Sequence, residues 1–322
     1  MSAQVAIIVP AYHAHDTIKD LLKTIVAQTK VDVCKTILID DADEQSYDYL
    51  YEDFPSLDLM ILRNEENKGP STARNKGLEK AIALGIPYIM FADADDLFYS
   101  NLAVEILLYT RGNNDADLVC SGFFEEQEET LVLHNDYDIW LFGKIYKTSL
   151  IKEYNIRFPE MSVNEDVCFN LHYWLVSGTK NMVEEALYLW KNNPNSITRK
   201  NNAAYTWESY TPLCHNLIVT YQKIIEDKRI SEERILSSFA NRLIRMYMGY
   251  NEFSITDEPR IDLKGMMTAL RCWNQEILEP YWDKLTPELI YGAWNEISSE
   301  PGHTFIPNIG LTEFFKKMRE EP

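Results

Sequence analysis

The sequence predicts an α/β fold: a doubly wound, largely parallel sheet with helices on both faces, followed by a mostly helical C-terminal region. Three observations carry this expectation. Short β-branched apolar runs alternate with amphipathic segments through the first hundred residues, the pattern of strand–helix–strand units. Aspartates collect just behind several of those runs, at strand carboxyl ends, where such sheets bind their ligands. After Arg199 the strand-like runs give way to long segments of helical periodicity.

The elements follow in order. "VAIIVPAY" (5–12) is a β-branched strand stopped by Pro10, and "HDTIKDLLKTIVAQ" (15–28) spaces Ile18, Leu21, Leu22, Ile25 and Val26 as one helix face. "KTILIDD" (35–41) reads as the second strand, "SYDYLYEDF" as a short helix and "LDLMILRN" (57–64) as the third strand. "GPSTARNKGLEKAIALG" (69–85) is a helix closing at Gly85, and "PYIMFAD" (87–93) is the fourth strand. Beyond them come a helix (102–111), a strand (117–123), an acidic stretch "EEQEE" (125–129) read as a solvated hairpin turn, and strand-like "TLVLH" (130–134). Further on, "YTPLCHNLIVTYQKIIEDK", "SEERILSSFANRLIRMYMGY" and "LKGMMTALRCWNQEILEPYWDKL" read as long helices, the second capped by Ser231. Within them Trp273, Tyr281 and Trp282 are expected in the core, and the helices themselves could extend an acceptor site or form a subunit interface.

Composition narrows the function. With 31 basic and 50 acidic residues the net charge is −19, which disfavours loose binding to nucleic acid or anionic membrane. Five cysteines, Cys34, Cys120, Cys168, Cys214 and Cys272, stand far apart without a CxxC pair. They suggest neither a disulfide framework nor a thiolate zinc site, and point to a reducing cytosol. The longest nearly apolar run, Ala81 to Ala92, falls well short of the roughly 20 residues of a membrane span. No basic leader precedes the first strand, so a soluble, unprocessed, cytoplasmic chain is expected.

"FADADD" sets three aspartates within four positions, at 93, 95 and 96. In an extended segment Asp93 and Asp95 share a face while Asp96 turns aside. Two carboxylates aimed at one point repel unless a divalent cation lies between them. Their hard oxygens suit Mn²⁺ or Mg²⁺, which keep positions open for substrate phosphates. A solvated acidic turn ahead of a helix is the competing reading.

Taken in order, "VAIIVPAY", "ILIDDAD", "NKGPSTARNKGL" and "FADADD", then "WLFGKIYKTSLIKEYNIRFPE", "NEDVCFN" and "YLWKNNPNSITR", the chain resembles family-2 inverting glycosyltransferases of the GT-A fold. The likeness covers roughly residues 4 to 200. It implies a mixed GT-A sheet over residues 1–200, with a nucleotide-sugar half (1–100), an acceptor half (101–200) and a helical region at 201–322. It further implies that Pro10, Ala11 and Tyr12 cradle the nucleotide and that Asp40 accepts a hydrogen bond from the base imide, favouring a UDP-sugar, with Asp41 beside it. Gly69 would allow close backbone approach, and Arg74 would pair with Asp93 or a phosphate, or clamp the aspartates. Asp93, Ala94 and Asp95 would form the metal and diphosphate edge with Mn²⁺ or Mg²⁺. Of the pair Glu165-Asp166, Asp166 would be the base that deprotonates an acceptor hydroxyl; acids that merely start a helix are the alternative. Lys144 would lie near the acceptor cleft, and Ser196 and Arg199 in a loop closing over the diphosphate. The acceptor could be a glycan, a polymer or another hydroxyl compound.

The chain departs from the family pattern twice. His13 follows the first-strand tyrosine where Asn is usual, and "DDAD" replaces "DDGS", so the second turn lacks its glycine. His13 and His15 as a metal pair are disfavoured for want of a third ligand nearby, and His172 is expected in the core. A phosphoacceptor receiver domain would need an aspartate at the third strand's end, where "ILRNEEN" stands. A sugar nucleotidyltransferase would need a Gly-rich basic loop after the first strand, where "PAYHAHDT" stands. A silent sugar-nucleotide-binding module would share every feature except turnover.

Overall fold

A computed structural model describes residues 2–112, 114–128, 130–135, 140–160, 164–193, 210–255, 261–298 and 307–320. The chain divides into two compact units, Met1–Asn193 and Pro194–Pro322.

Among the described residues the first unit has nine strands: β1 (Val5–Ala11), β2 (Cys34–Asp40), β3 (Leu59–Arg63), β4 (Tyr88–Phe91), β5 (Leu97–Phe98), β6 (Leu118–Gln127), β7 (Thr130–His134), β8 (Lys144–Lys147) and β9 (Lys180–Trp190). They lie in the order β3-β2-β1-β4-β8-β6-β9-β5, with β7 against β6. β1 runs parallel to both β2 and β4, whereas β8 is antiparallel to β4 and β6. The sheet is therefore mixed, parallel from β3 through β2 and β1 to β4. Val5 to Val9 are 0% exposed, because a central strand covered on both faces buries every side chain.

Helices α1 (Ile18–Val26) and α4 (Ala103–Thr110) cover one face, where Leu21, Leu22, Val104 and Leu107 pack with Val5, Ile7 and Val9. On the other face α3 (Gly69–Ala83) approaches β1 so closely that a Cβ on Gly77 would stand 2.4 Å from Ile8 Cγ2. That face continues through Phe91, Phe158 and Phe169, whose rings meet edge-to-face or stacked. It carries α5 (Thr148–Glu153) and α6 (Glu165–Val176).

In this unit two expected elements changed for local reasons. The helix over 46–54 shrinks to α2 (Leu50–Asp53), because Tyr47 is drawn fully inside to bond Asp43 and the backbone of Ala14. The acidic stretch is mostly strand: Glu125, Glu126 and Gln127 pair with β7. Glu126 accepts from Lys191 Nζ at 3.1 Å and from the Asn192 backbone at 2.9 Å, which removes the repulsion that would have favoured a solvated turn.

The second unit contains α7 (Tyr210–Glu226), α8 (Glu232–Ser254), α9 (Leu263–Trp273), α10 (Pro287–Ser298) and α11 (Leu311–Arg319). Ser231 caps α8, accepting from the Arg234 N–H. The helix expected over 263–285 changes pitch at Asn274, becoming a π turn to Leu278 and a 3-10 turn over Glu279–Lys284. Pro280 explains the break, since it offers no N–H to continue the ladder. Trp273 is fully buried, while Tyr281 and Trp282 are half-buried, with Trp282 donating to Asn274 at 2.6 Å. Among the described residues no helix is long and apolar enough to cross a membrane, and the five cysteines are free thiols.

Candidate active site

From β1 the chain moves one way to β2 and β3, then returns to add β4 on the other side. The crevice between the ends of β1 and β4 is thus a topological switch point, where open α/β sheets take their ligands. Pro10 and Ala11 close β1, and Tyr12 beyond them is 46% exposed, its ring centroid 4.0 Å from that of His13.

At the end of β2, Asp40 is fully buried. Its Oδ1 accepts from the Asp43 N–H at 2.9 Å and its Oδ2 from the Arg63 guanidinium. The direct contact to a base imide expected for Asp40 therefore meets a carboxylate with both oxygens already engaged. Asp41 organises the next loop, accepting from Asn64 Nδ2 at 2.6 Å and from the backbone N–H of Gly69 at 2.8 Å. Gly69 has φ +81°, a left-handed conformation that suits glycine and lets the loop enter α3.

Residues 93–96 form a tight turn, closed by the Asp96 N–H donating to the Asp93 carbonyl at 3.1 Å. The extended segment assumed from alternation is absent, but Asp96 still faces away. It is 1% exposed, accepting from the Tyr188 hydroxyl at 3.1 Å and the Lys191 backbone at 2.9 Å. Burial, with Asp93 and Asp95 nearby, pushes its carboxyl well above the usual range. Asp93 and Asp95 remain at the rim. Asp93 is 36% exposed and takes Arg74 on Oδ1, Asp95 accepts from Asn193 at 2.8 Å, and Ala94 between them is buried.

Arg74 is 6% exposed. Its fork bridges Asp93 at 2.7 Å and Glu165 at 2.5 Å, and its guanidinium carbon lies 5.7 Å from the centre of the Phe158 ring. Burial alone would weaken its charge, but the two carboxylates outweigh that and raise its pKa. Glu165 opens α6, where acids face the positive helix end. Asp166 follows, half-buried and accepting from the Val167 N–H at 2.8 Å. Burial and then Glu165 push its pKa up to about 7, against the pull of Arg74 and Lys144. Lys144 itself is 2% exposed and donates to the Trp140 carbonyl.

The structure thus brings Arg74, Asp93, Glu165 and Asp166 into one array, with Asp95 on the same turn and Lys144 within electrostatic reach of Asp166. Ser196 and Arg199 lie outside the described residues. Asp43 does stand beside both His13 and His15, Nδ1 of His13 at 3.3 Å and Nε2 of His15 at 3.6 Å, correcting the view that no third acid is near. Among the described residues, however, no group of three or more His, Cys, Asp or Glu could hold a metal. His172 is 6% exposed, as expected of a core residue. Sequence reasoning missed Tyr188, whose hydroxyl accepts from the Asp93 N–H at 3.0 Å, and Asn193. Their partners lie more than ninety positions away, so no local signal marks them. Asp43 left a faint one, the missing glycine before it.

Residues 6–169 match the family profile of Glycosyl transferase family 2. The uncharacterized glycosyltransferase EpsJ of Bacillus subtilis is 28% identical over 220 residues, 60% of this chain and 62% of that protein. The poly(ribitol-phosphate) beta-glucosyltransferase of Bacillus spizizenii is 29% identical over 195 residues, 53% of this chain and 30% of that protein. The chain thus spans less than two thirds of the length of these relatives. Staphylococcus aureus TarS 1-349, crystallised in complex with UDP-GlcNAc, superposes with a TM-score of 0.74 at 19% identity, covering 92% of this chain and 88% of that one. At that identity the likeness concerns the GT-A fold. The mannosyltransferase PcManGT of Pyrobaculum calidifontis, solved with GDP-Man and Mn²⁺, gives a TM-score of 0.51 at 14% identity, covering 92% of this chain and 88% of that one. The matched residues run from inside β1 to within α6, through every strand end that builds the array around Arg74, and the chain belongs to glycosyl transferase family 2.

Proposed function

We propose that the protein transfers a sugar from a UDP-sugar to an acceptor hydroxyl with inversion, Asp166 acting as the base. The observation that carries this reading is the placement of a carboxyl whose pKa is pushed up to about 7 next to the Arg74 bridge at a topological switch point. A general base works best with its pKa near the operating pH. Asp166 would take the acceptor's proton while the oxygen attacks the anomeric carbon opposite the leaving diphosphate, through an oxocarbenium-like transition state. Arg74 would hold Asp93 and Glu165 in register, keeping the acceptor-side acids fixed relative to the donor edge. Pro10, Ala11 and Tyr12 would line the nucleotide, Asp40, Asp41 and Gly69 would shape the loops beside it, and Lys144 would hold down the charge of the acceptor side. A cytoplasmic reaction agrees with five free thiols.

The donor set fits a small divalent cation. Asp93 and Asp95 offer hard oxygens at a solvent-reached rim, and Mn²⁺ or Mg²⁺ needs only one or two carboxylates when phosphate oxygens complete its shell. When bound, the ion would neutralise the diphosphate as it departs. The test is calorimetric titration of UDP and GDP, with and without Mn²⁺, into the wild type and Asp95→Ala. Manganese-dependent UDP binding, weakened at least tenfold in the variant, is expected. Equal affinity for UDP in both, independent of Mn²⁺, would remove the metal edge from the proposal. Released UDP in a turnover assay, abolished by Asp166→Asn, tests the base.

A further inference from the structure

Two residues beside the nucleotide edge adopt left-handed backbone without being glycine: His13 at φ +51° and Ala42 at φ +61°. Side chains with a Cβ resist that region, so such a conformation persists only where surrounding bonds impose it. At both turns the same residue supplies the bonds. Asp43 is 2% exposed, and its carboxylate accepts from the His13 backbone N–H at 2.5 Å, the Glu44 N–H at 2.8 Å and the Tyr47 hydroxyl at 2.8 Å. The Asp43 N–H donates to Asp40 Oδ1, and its carbonyl accepts from Arg63. Tyr47 passes the restraint on, accepting from the Ala14 N–H at 2.9 Å while its ring stacks on His15 at 4.1 Å. Both imidazoles also stand beside the carboxylate, His13 Nδ1 at 3.3 Å and His15 Nε2 at 3.6 Å.

We propose that Asp43 is a positioning residue for the donor nucleotide, fixing the Tyr12–His13 turn and the Asp40–Ala42 turn in their bound geometry before the nucleotide arrives. The inference rests on the reading of this edge as a UDP-sugar site. Tyr12 immediately precedes the clamped His13, so the Asp43 carboxylate holds the peptide that joins them and with it the backbone from which the exposed Tyr12 ring departs. Where the family's glycine would let the second turn adopt its shape freely, Ala42 needs the Asp43 anchor. The proposed ligand is the nucleoside half of the donor, a pyrimidine base and ribose lying between Tyr12 and the end of β2. Loops already ordered lose less conformational freedom on binding, so removing the anchor weakens affinity.

The experiment titrates UDP with Mn²⁺ into the intact wild-type chain, Asp43→Ala and Asp43→Asn, and measures donor KM and kcat for UDP release from a UDP-sugar. Asp43→Ala is expected to raise Kd and donor KM at least tenfold, by a larger factor than any fall in kcat. Asp43→Asn keeps one acceptor oxygen for the His13 N–H and is expected to fall between. A purely structural role would lower the melting temperature without that split between KM and kcat. Folded Asp43→Ala binding UDP with wild-type Kd overturns the proposal; where that variant does not fold, wild-type Kd in folded Asp43→Asn does so. A wild type that binds neither UDP nor GDP defeats instead the donor-site reading on which this inference stands.

Discussion

Replacing Asp166 by Asn should stabilise the protein while stopping catalysis, and the gain should depend on pH in a defined way. The folded-state pKa of Asp166 is raised from 3.8 to about 7. A raised carboxyl binds its proton more tightly folded than unfolded, so its stabilising share is complete below about pH 4 and is lost as pH climbs to about 7. An interval of about three pH units at 1.36 kcal/mol each gives about 4 kcal/mol as an upper bound. Partial exposure and the coupling to Glu165 reduce it, so about 1–3 kcal/mol is the expected gain of Asp166→Asn over wild type at pH 8. Asn keeps an acceptor for the Val167 N–H, so the helix start survives. Urea unfolding of both proteins from pH 4 to 9 measures this directly: the difference should widen up to about pH 7 and then hold level. In parallel, kcat/KM of the wild type should rise up to about the same pH and plateau. A stability difference that stays constant with pH would show that the Asp166 carboxyl is not perturbed, and the argument for it as base would fail.

Arg74→Met should cost about 3–5 kcal/mol, because it leaves Glu165 and Asp93 charged beside one another without their shared cation. Arg74→Lys should recover less than half of this in urea unfolding, since a single ammonium cannot span both carboxylates as the fork does. Gly77→Ala should cost about 1–2 kcal/mol even though alanine favours helices, as the added methyl would stand 2.4 Å from Ile8 Cγ2 and force β1 or α3 to move. Calorimetric melting decides that case, and an unchanged or higher melting temperature would mean that Ile8 yields at no cost.

The strand–helix alternation was legible because burial on one face or two leaves a period in the sequence, and the parallel half of the sheet follows from it. What proved hard to read were features set by distant partners. The 93–96 turn has the right acid facing inward, yet a turn closed by Asp96 and Asp93 does this, not strand alternation. The break at Asn274 could be traced to Pro280, but the apolar periodicity ran straight through it and hid the change of pitch. Glu125 and Glu126 looked like turn residues until the structure gave them distant partners, His134 beside Glu125 and Lys191 beside Glu126. At the site, the acids could be located from the resemblance, whereas the pKa of Asp166 comes from burial against Glu165 and Arg74, which only coordinates reveal. Asp43 shows the same limit: the lost glycine was visible, while the carboxylate that compensates for it reaches thirty positions back to His13.

The interleaved strand order has a bearing on how the chain is made. Phe98 of β5 pairs with Tyr188 of β9, across the sheet from the strands that immediately precede it in sequence. On a ribosome adding about 5–20 residues per second, some five to twenty seconds separate the emergence of these two partners. During that wait the nascent first half carries Arg74 and Asp93 without Glu165, and β4 exposes the flank that β8 will later cover. The array around Arg74 and Asp93 is therefore completed only as β8, α6 and β9 dock in turn, and a ribosome-bound chain stalled before β9 would present an open sheet border to its neighbours.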